Sequence, residues 1–401
     1  HAFIPSAYEK GAAGAVVQSP LVNSEIPQIK VKNTVQALAE LATQWRSQFE
    51  IPVIAITGSN GKTTVKEMVG SILGIHANVL ATKGNLNNHL GVPLTLFDLA
   101  ENHKYAVIEM GANHAGDIAG LCKIAMPTVA VITQCAPAHL EGFKTEQGVA
   151  QAKSEIFSGL KSNGTAIINA DDKYSKFWSE TADGLKTLYF GIQRPADIRA
   201  KNIRINSNKS ETHFDIQFPE SIIPINLPLM GTHNILNALA AAACCHAAGV
   251  PVMQIKQGLE KMLCIPGRME RLTGLHDSTI FNDTYNANPA SLEAGLKVLS
   301  EFDGPRWLIF GDMGELGERS EEFHKTAGKL AKKYGIERLL TVGELSRLSH
   351  EEFGNGGEHF HSTDELLKQA VNELSGNVTI LVKASRFMKM EHVVAGLREG
   401  G

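Results

Sequence analysis

The stretch that most restricts the possible folds is Ile51–Gly70, which reads IPVIAITGSNGKTTVKEMVG. An apolar, β-branched run stops at Thr57-Gly58-Ser59-Asn60-Gly61. Lys62-Thr63-Thr64 then opens a segment in which Val65, Met68, Val69 and Ile72 recur at helical spacing. Strand, glycine turn, Lys-Thr and helix is the plan of a phosphate-binding loop. The glycines let backbone N–H groups approach phosphate oxygens, the helix N-terminus adds favourable partial charge, Lys62 reaches the outer phosphates, and a Thr hydroxyl can hold Mg²⁺. The usual pattern has a further glycine where Ile56 stands, so only the inner G-x-x-G-K-T-T is present. A bare Gly-Lys-Thr is more often an ordinary strand-to-helix turn. The buried strand before it and the helix after it favour nucleotide binding here.

A chain of 401 residues is too long for one ordinary domain, and two or three are expected. Its net charge of −4 gives no general case for nucleic acid or membrane binding. No apolar run is long enough to span a bilayer and no signal peptide stands at the start, so a cytoplasmic protein is expected. The five cysteines form no C-x-x-C pair and read as reduced, mostly buried thiols. The first residue is His1, and HAFIPSAYEKGAAGAVVQS reads as the middle of a domain.

Residues 1–48, with a strand near Gly14–Gln18 and a helix from Thr34 to Phe49 capped by Thr34, read as the remainder of an N-terminal α/β domain. Residues 49–264 alternate strand and helix, as in a doubly wound parallel sheet whose sites lie at the carboxyl ends of the strands. Gly58–Thr64, Glu109 and His139 all fall at such ends. Short alternating strands between Asp197 and Leu229 predict an antiparallel annex, followed by an Ala-rich helix from Asn234. Pro266-Gly267 punctuates the chain and is a plausible pivot. Residues 265–401 form a second α/β series, Rossmann-like in order but without G-x-G-x-x-G. Its expected strands are Thr279–Asp283, Trp307–Phe310, Arg338–Thr341 and Val378–Val382.

Several residues carry two readings. Glu109, at a strand end beside the loop, suits a Mg²⁺ ligand, or it caps a turn. His139 and the helical Lys153 are, on local chemistry, a structural histidine and a solvated cation. Asn234 and Asn237 share a helix face and can read an adenine edge, or Asn234 caps the helix. Arg268 sits at a domain junction and can simply pin it. Asp283 can hold a ribose or cap the next helix.

TGSNGKTT, TKGNLNNHLGVPLTL, EMGANHAGDI, AHLEGF, AKSEIF, GTHNILNALAA, PGRME, NDTYNANPAS, FGDMGELGE and VKASRFMKMEHVV occur in that order. As a set they resemble the Mur ligase family of peptidoglycan synthesis, from Ile51 to the C-terminus. The shortened phosphate loop is that family's own form. Within the family the motifs are most similar to those of the member that joins D-alanyl-D-alanine to UDP-N-acetylmuramoyl-tripeptide. No Asp-Asn-Pro-Arg motif occurs, which separates the chain from the diaminopimelate-adding ligase. The resemblance implies three domains: the first for the uridine diphosphate end of the substrate, the central one for ATP, and the last for the incoming amino component. Residues 1–48 are similar only to the latter part of the first.

The resemblance also implies a reaction. The ATP γ-phosphoryl activates a carboxylate as an acyl phosphate, which the dipeptide amine attacks. Lys62, one Mg²⁺ on Thr63 and Glu109, and a second on His139 offset the crowded anions. The family lysine matching Lys153 is carbamylated by CO₂, which turns a repelling cation into an anionic ligand of the second metal. ATP is expected on Gly58, Ser59, Asn60, Gly61, Lys62, Thr63 and Thr64, with Asn234 and Asn237 at adenine, Asp283 at ribose, and Arg268 nearby. Asn85, Asn87 and Asn88 are expected to hold the muramoyl-peptide side. Asn286, Asn288, Ser385 and Arg386 are expected to hold the dipeptide, although Asn-Pro and Gly-Asn sequences also form turns. A monomer is expected. Folylpoly-γ-glutamate synthetase is a competing relative, opposed by NANPAS and DMGELGE. A P-loop switch ATPase is a competing class.

Overall fold

The computed structural model describes residues 1–207 and 210–398. They form three sheets, of two, nine and six strands. The smallest pairs Ala15–Val17 with Gln28–Lys30 in parallel, over a minor core of Ile4, Val17 and Ile26. The helix Thr34–Arg46 follows. Its N-cap is Asn33, not Thr34: the Asn33 side chain accepts from the Val35 and Gln36 N–H groups, leaving Thr34 as the first helical residue.

The nine-stranded sheet runs, edge to edge, Ile222–Leu227, Glu211–Gln217, Ile198–Asn206, Lys186–Gly191, Thr165–Asn169, Val129–Ile132, Val53–Thr57, His103–Glu109 and Asn78–Ala81. Only the two pairings of Glu211–Gln217 are antiparallel. The antiparallel strands are therefore not a separate sheet; Ile198–Asn206 pairs parallel to Lys186–Gly191 and extends the parallel one. The interior strand Val53–Thr57 is buried throughout, as a parallel strand covered on both faces must be. One face is covered by the helix Lys62–Leu73, through Val65, Met68, Val69 and Ile72, and by the Ala-rich helix Thr232–Ala247. Alanines let those two helices approach closely, and a Cβ at Gly258 of a third helix would lie 2.3 Å from Ile72 Cα. The other face buries Val53, Ala55, Ile108 and Ile132 beneath the helices around Ile118 and Ile156.

The six-stranded sheet runs Glu270–Thr273, Thr279–Asp283, Thr379–Lys383, Arg306–Gly311, Arg338–Val342 and Gly357–Phe360, with only the first strand antiparallel. The four expected strands form its middle. The two edges, Glu270–Thr273 and Gly357–Phe360, lack a continuous apolar signal because an edge strand is only half covered. Among the described residues no helix is long and apolar enough to cross a membrane.

Candidate active site

Both larger sheets aim the carboxyl ends of their parallel strands at one cavity of ≈ 610 Å³, whose wall includes Ser59–Thr64, Glu109, His139, Lys153, Asn234, Asn237, Arg268, Asp283 and Lys383. Two glycines shape the loop at its floor. A Cβ at Gly58 would lie 1.8 Å from Thr133 Oγ1. Gly61 has φ +82° and a Cβ there would meet Asn237 Oδ1 at 2.3 Å, so it is required both by conformation and by close approach. Ser59 is held on the neighbouring strand end, its N–H donating to Gln134 O at 2.9 Å and its hydroxyl to Ala136 O at 2.9 Å. Lys62 Nζ folds back onto Gly58 O at 2.7 Å. Burial pushes its ammonium below the usual value, with Glu109 opposing that shift.

Glu109 is 3% exposed and both its oxygens are engaged. Thr63 Oγ1 donates to Oε2 at 2.9 Å, and Asn87 Nδ2 donates to Oε1 at 2.8 Å. A hydroxyl and a carboxylate side by side are hard oxygen donors, and they fit Mg²⁺. His139 has the left-handed φ +53°, with Nδ1 2.6 Å from Glu315 Oε2 of the six-stranded region. The imidazole beside it holds the Glu315 carboxyl below its usual range. Leu140 N–H donates to Glu315 O at 2.9 Å, so this contact also joins the two regions.

Lys153 lies on the helix Glu146–Ser158, capped by Thr145. It is 2% exposed and lines the cavity, and among the described residues nothing accepts a hydrogen bond from it. Burial, then the Lys62 charge, push its pKa down to about 7. An ammonium here would oppose a metal at His139, whereas a neutral amine can take up CO₂ and become an oxygen donor.

The helix Thr232–Ala247 presents Asn234 and Asn237 to the loop, linked by Asn237 Nδ2 to Asn234 Oδ1 at 3.2 Å. Asn234 is not the N-cap, a position taken by Gly231; its amide instead donates to Met230 O at 2.8 Å. Arg268 Nη2 donates to Thr63 Oγ1 at 2.9 Å, and its guanidinium lies 4.1 Å from the Tyr285 ring centroid.

The expected substrate residues divide. Asn87, Asn88, Asn286 and Asn288 line the cavity; Asn85, Ser385 and Arg386 are not in its wall, nor is Gly58. Asn87 holds Glu109. Asn88 Oδ1 accepts from Leu90 and Gly91 N–H, at 3.1 and 2.9 Å, the turn-forming alternative. Asn288 caps the helix Pro289–Leu299 and exchanges amide hydrogen bonds with Asn60 of the phosphate loop, at 2.7 and 3.2 Å. Ser385 Oγ accepts from Gly314 N at 2.8 Å. Arg386 is 64% exposed and 3.4 Å from Glu391. Sequence reasoning missed Glu315, Tyr285 and Lys383 as cavity or bridging residues. They stand inside DMGELGE, NDTYNANPAS and VKASRF, so the motifs marked the right segments without ranking the side chains.

Known proteins share the sequence and fold of this chain. The Mur ligase middle domain profile matches residues 56–245, and that of the Mur ligase glutamate ligase domain matches residues 267–386. The UDP-N-acetylmuramoyl-tripeptide–D-alanyl-D-alanine ligase of Escherichia coli (strain K12) is 44% identical over 395 residues, spanning 98% of this chain and 86% of the relative. The crystal structure of MurF from Acinetobacter baumannii superposes with a TM-score of 0.94 at 36% identity, over 99% of this chain and 87% of that one. MurF ligase from Thermotoga maritima, solved in complex with ADP, gives a TM-score of 0.86 at 28% identity, over 99% of this chain and 91% of that one. With the motifs, the two-sheet crevice and these relatives in agreement, the chain is a member of the Mur ligase family.

Proposed function

We propose that this protein is an ATP-dependent ligase of peptidoglycan synthesis that joins D-alanyl-D-alanine to UDP-N-acetylmuramoyl-tripeptide through an acyl phosphate, acting as a cytoplasmic monomer. The observation that carries this reading is the cavity itself. It gathers a phosphate loop, an oxygen donor pair, a buried lysine without an acceptor and a polar turn from a second sheet. Phosphate transfer and amine attack need these parts on separate walls. ATP is taken to lie with its phosphates on Gly58–Thr64, adenine at Asn234 and Asn237, ribose at Asp283, and Arg268 closing over Thr63.

Thr63 and Glu109 would hold one Mg²⁺; His139 and a carbamylated Lys153 would hold a second. These ions would supply charge neutralisation between the carboxylate and the triphosphate. Asn87 orients Glu109, and Lys62 stabilises charge on the outer phosphate. We place the muramoyl-peptide end along Asn85–Asn88 and the dipeptide at the turn carrying Asn286 and Asn288, with Ser385 and Arg386 behind it. Residues 1–48 belong to the part that meets the uridine end, 49–264 to the ATP-binding part and 265–401 to the amine-binding part.

The test is a mass-spectrometric assay of the full-length protein with MgATP, UDP-muramoyl-tripeptide and D-Ala-D-Ala. The pentapeptide product should form, and phosphate release should need both co-substrates. Release of phosphate from ATP alone at the same rate would instead identify a switch ATPase.

A further inference from the structure

Lys383 ends the strand Thr379–Lys383, directly opposite Asp283 in the register of the neighbouring parallel strand. It is 1% exposed and lines the cavity. Its Nζ lies 2.5 Å from Asp283 Oδ2 and also donates to Asn286 O at 2.9 Å. The other Asp283 oxygen accepts from Met269 N–H at 3.2 Å, so the carboxylate is held at both ends. One ammonium thus joins the strand-end carboxylate to the backbone of the turn Thr284–Asn288. That turn reaches the phosphate loop twice: through Asn288 to Asn60, and through Tyr285 stacked on Arg268, which bonds Thr63.

We propose that Lys383 is a positioning residue that couples the nucleotide site to the amine-binding turn. Hydrogen bonds between an ammonium and a carboxylate or carbonyl are short, strong and directional. A ribose engaging Asp283 shares that carboxylate with Lys383, and Lys383 holds the carbonyl that sets the shape of the turn. Nucleotide binding therefore favours one arrangement of the turn, and dipeptide binding favours the nucleotide in return, since coupling between sites is reciprocal. The proposal rests on the reading that Asp283 faces the ribose and that the Asn286 turn takes the dipeptide.

The test is calorimetric titration of D-Ala-D-Ala into the full-length protein with its UDP-tripeptide bound, with and without a non-hydrolysable ATP analogue. The analogue should tighten dipeptide binding in the unmodified protein by about fivefold or more. In Lys383→Met the ratio should fall to about one. A residue that only supported the fold would lower the melting temperature and leave the ratio alone. If Lys383→Met does not fold, the ratio is measured at saturating analogue in Asp283→Asn/Lys383→Met, in which no charge is left unpaired. A ratio near one there supports the proposal. A ratio equal to that of the unmodified protein overturns it, as does an unmodified protein with no coupling. The underlying reading fails separately, and the proposal with it, if 2′,3′-dideoxy-ADP binds as tightly as ADP or if Asn286→Ala leaves dipeptide affinity unchanged.

Discussion

Lys153, in the nine-stranded region, and Lys383, in the six-stranded region, line the same cavity and are 2% and 1% exposed. Their surroundings are opposite. Lys383 meets a carboxylate and a carbonyl, and forms an ion pair. Lys153 meets no acceptor among the described residues, has Lys62 for a neighbour, and is pushed down to about 7. Burial of a lysine thus has no single consequence: Lys383 finds acceptors and pairs with them, whereas desolvation, with the Lys62 charge adding to it, pushes the unpaired Lys153 down.

The largest expected effect comes from removing Lys153, the lysine proposed to become a carbamate. Lys153→Met should lower ligation turnover by roughly 10²–10³-fold or more, the scale of losing one group that stabilises transition-state charge. In the unmodified protein a ¹³CO₂-derived carbamate resonance should grow as pH rises through about 7, because only the neutral amine takes up CO₂, and Lys153→Met should lack it. The sign for stability follows. This lysine's ordinary value is 10.5, so the unfolded chain holds a proton that the folded ligand-free chain has released between about 7 and 10.5. Lys153→Met should therefore stabilise the ligand-free protein most below pH 7, with the gain shrinking toward pH 10.5. Near-normal turnover of the variant at ambient CO₂ would remove the distinction between the two lysines.

Removing the paired member should act on stability first. Lys383→Met leaves Asp283, whose side chain is 14% exposed, without its partner. Breaking a buried pair this way costs about 3–5 kcal/mol, and Asp283→Asn/Lys383→Met should recover most of it. Denaturant unfolding measures both. If the double variant is as unstable as the single one, the defect is lost packing rather than an unpaired charge.

A smaller effect sharpens how the two regions meet. Asn288→Ala removes both the amide exchange with Asn60 and the cap of Pro289–Leu299. It should cost about 1–2 kcal/mol from the cap and about 1 kcal/mol more from the inter-region bonds. Asn288→Ser should retain the cap and lose only the Asn60 exchange. Solution scattering should then show a more open ligand-free chain for both variants. An unchanged profile would mean that the contacts around Arg268 and Glu315 hold the regions together without it.

Much of this molecule was legible residue by residue. The phosphate loop announced itself by a β-branched strand, two glycines and a helical repeat. Glu109 was readable as a strand-end residue, and a doubly wound sheet collects such ends in one crevice. His139, beyond the strand Val129–Ile132 at the start of Leu140–Phe143, read locally as a structural histidine, and only the family motifs marked it. The interior strands of the second sheet were visible as apolar runs, and its half-covered edges were not. The asparagines were read least well. Asn87, Asn88 and Asn288 stood in the right segments, but their amides are engaged by Glu109, by backbone N–H groups and by Asn60. The Asn60 pair is 228 residues apart in the chain, a separation at which no local pattern records a partner.

Local chemistry made the loop possible, since Gly61 can take φ +82° and Lys62-Thr63-Thr64 starts a helix, but Thr133, Gln134, Ala136 and Asn237 from distant segments fix its place. The chain order of motifs determined the family. The charge and work of each buried side chain were decided only by the tertiary structure. Lys153 reads locally as a solvated helix cation, and Lys383, one residue past the expected strand Val378–Val382, carried no local signal. Folding removes water from both and brings Asp283 to one and Lys62 to the other. The energy of a charge in a dry site is set by those few neighbours, and they arrive from distant parts of the chain.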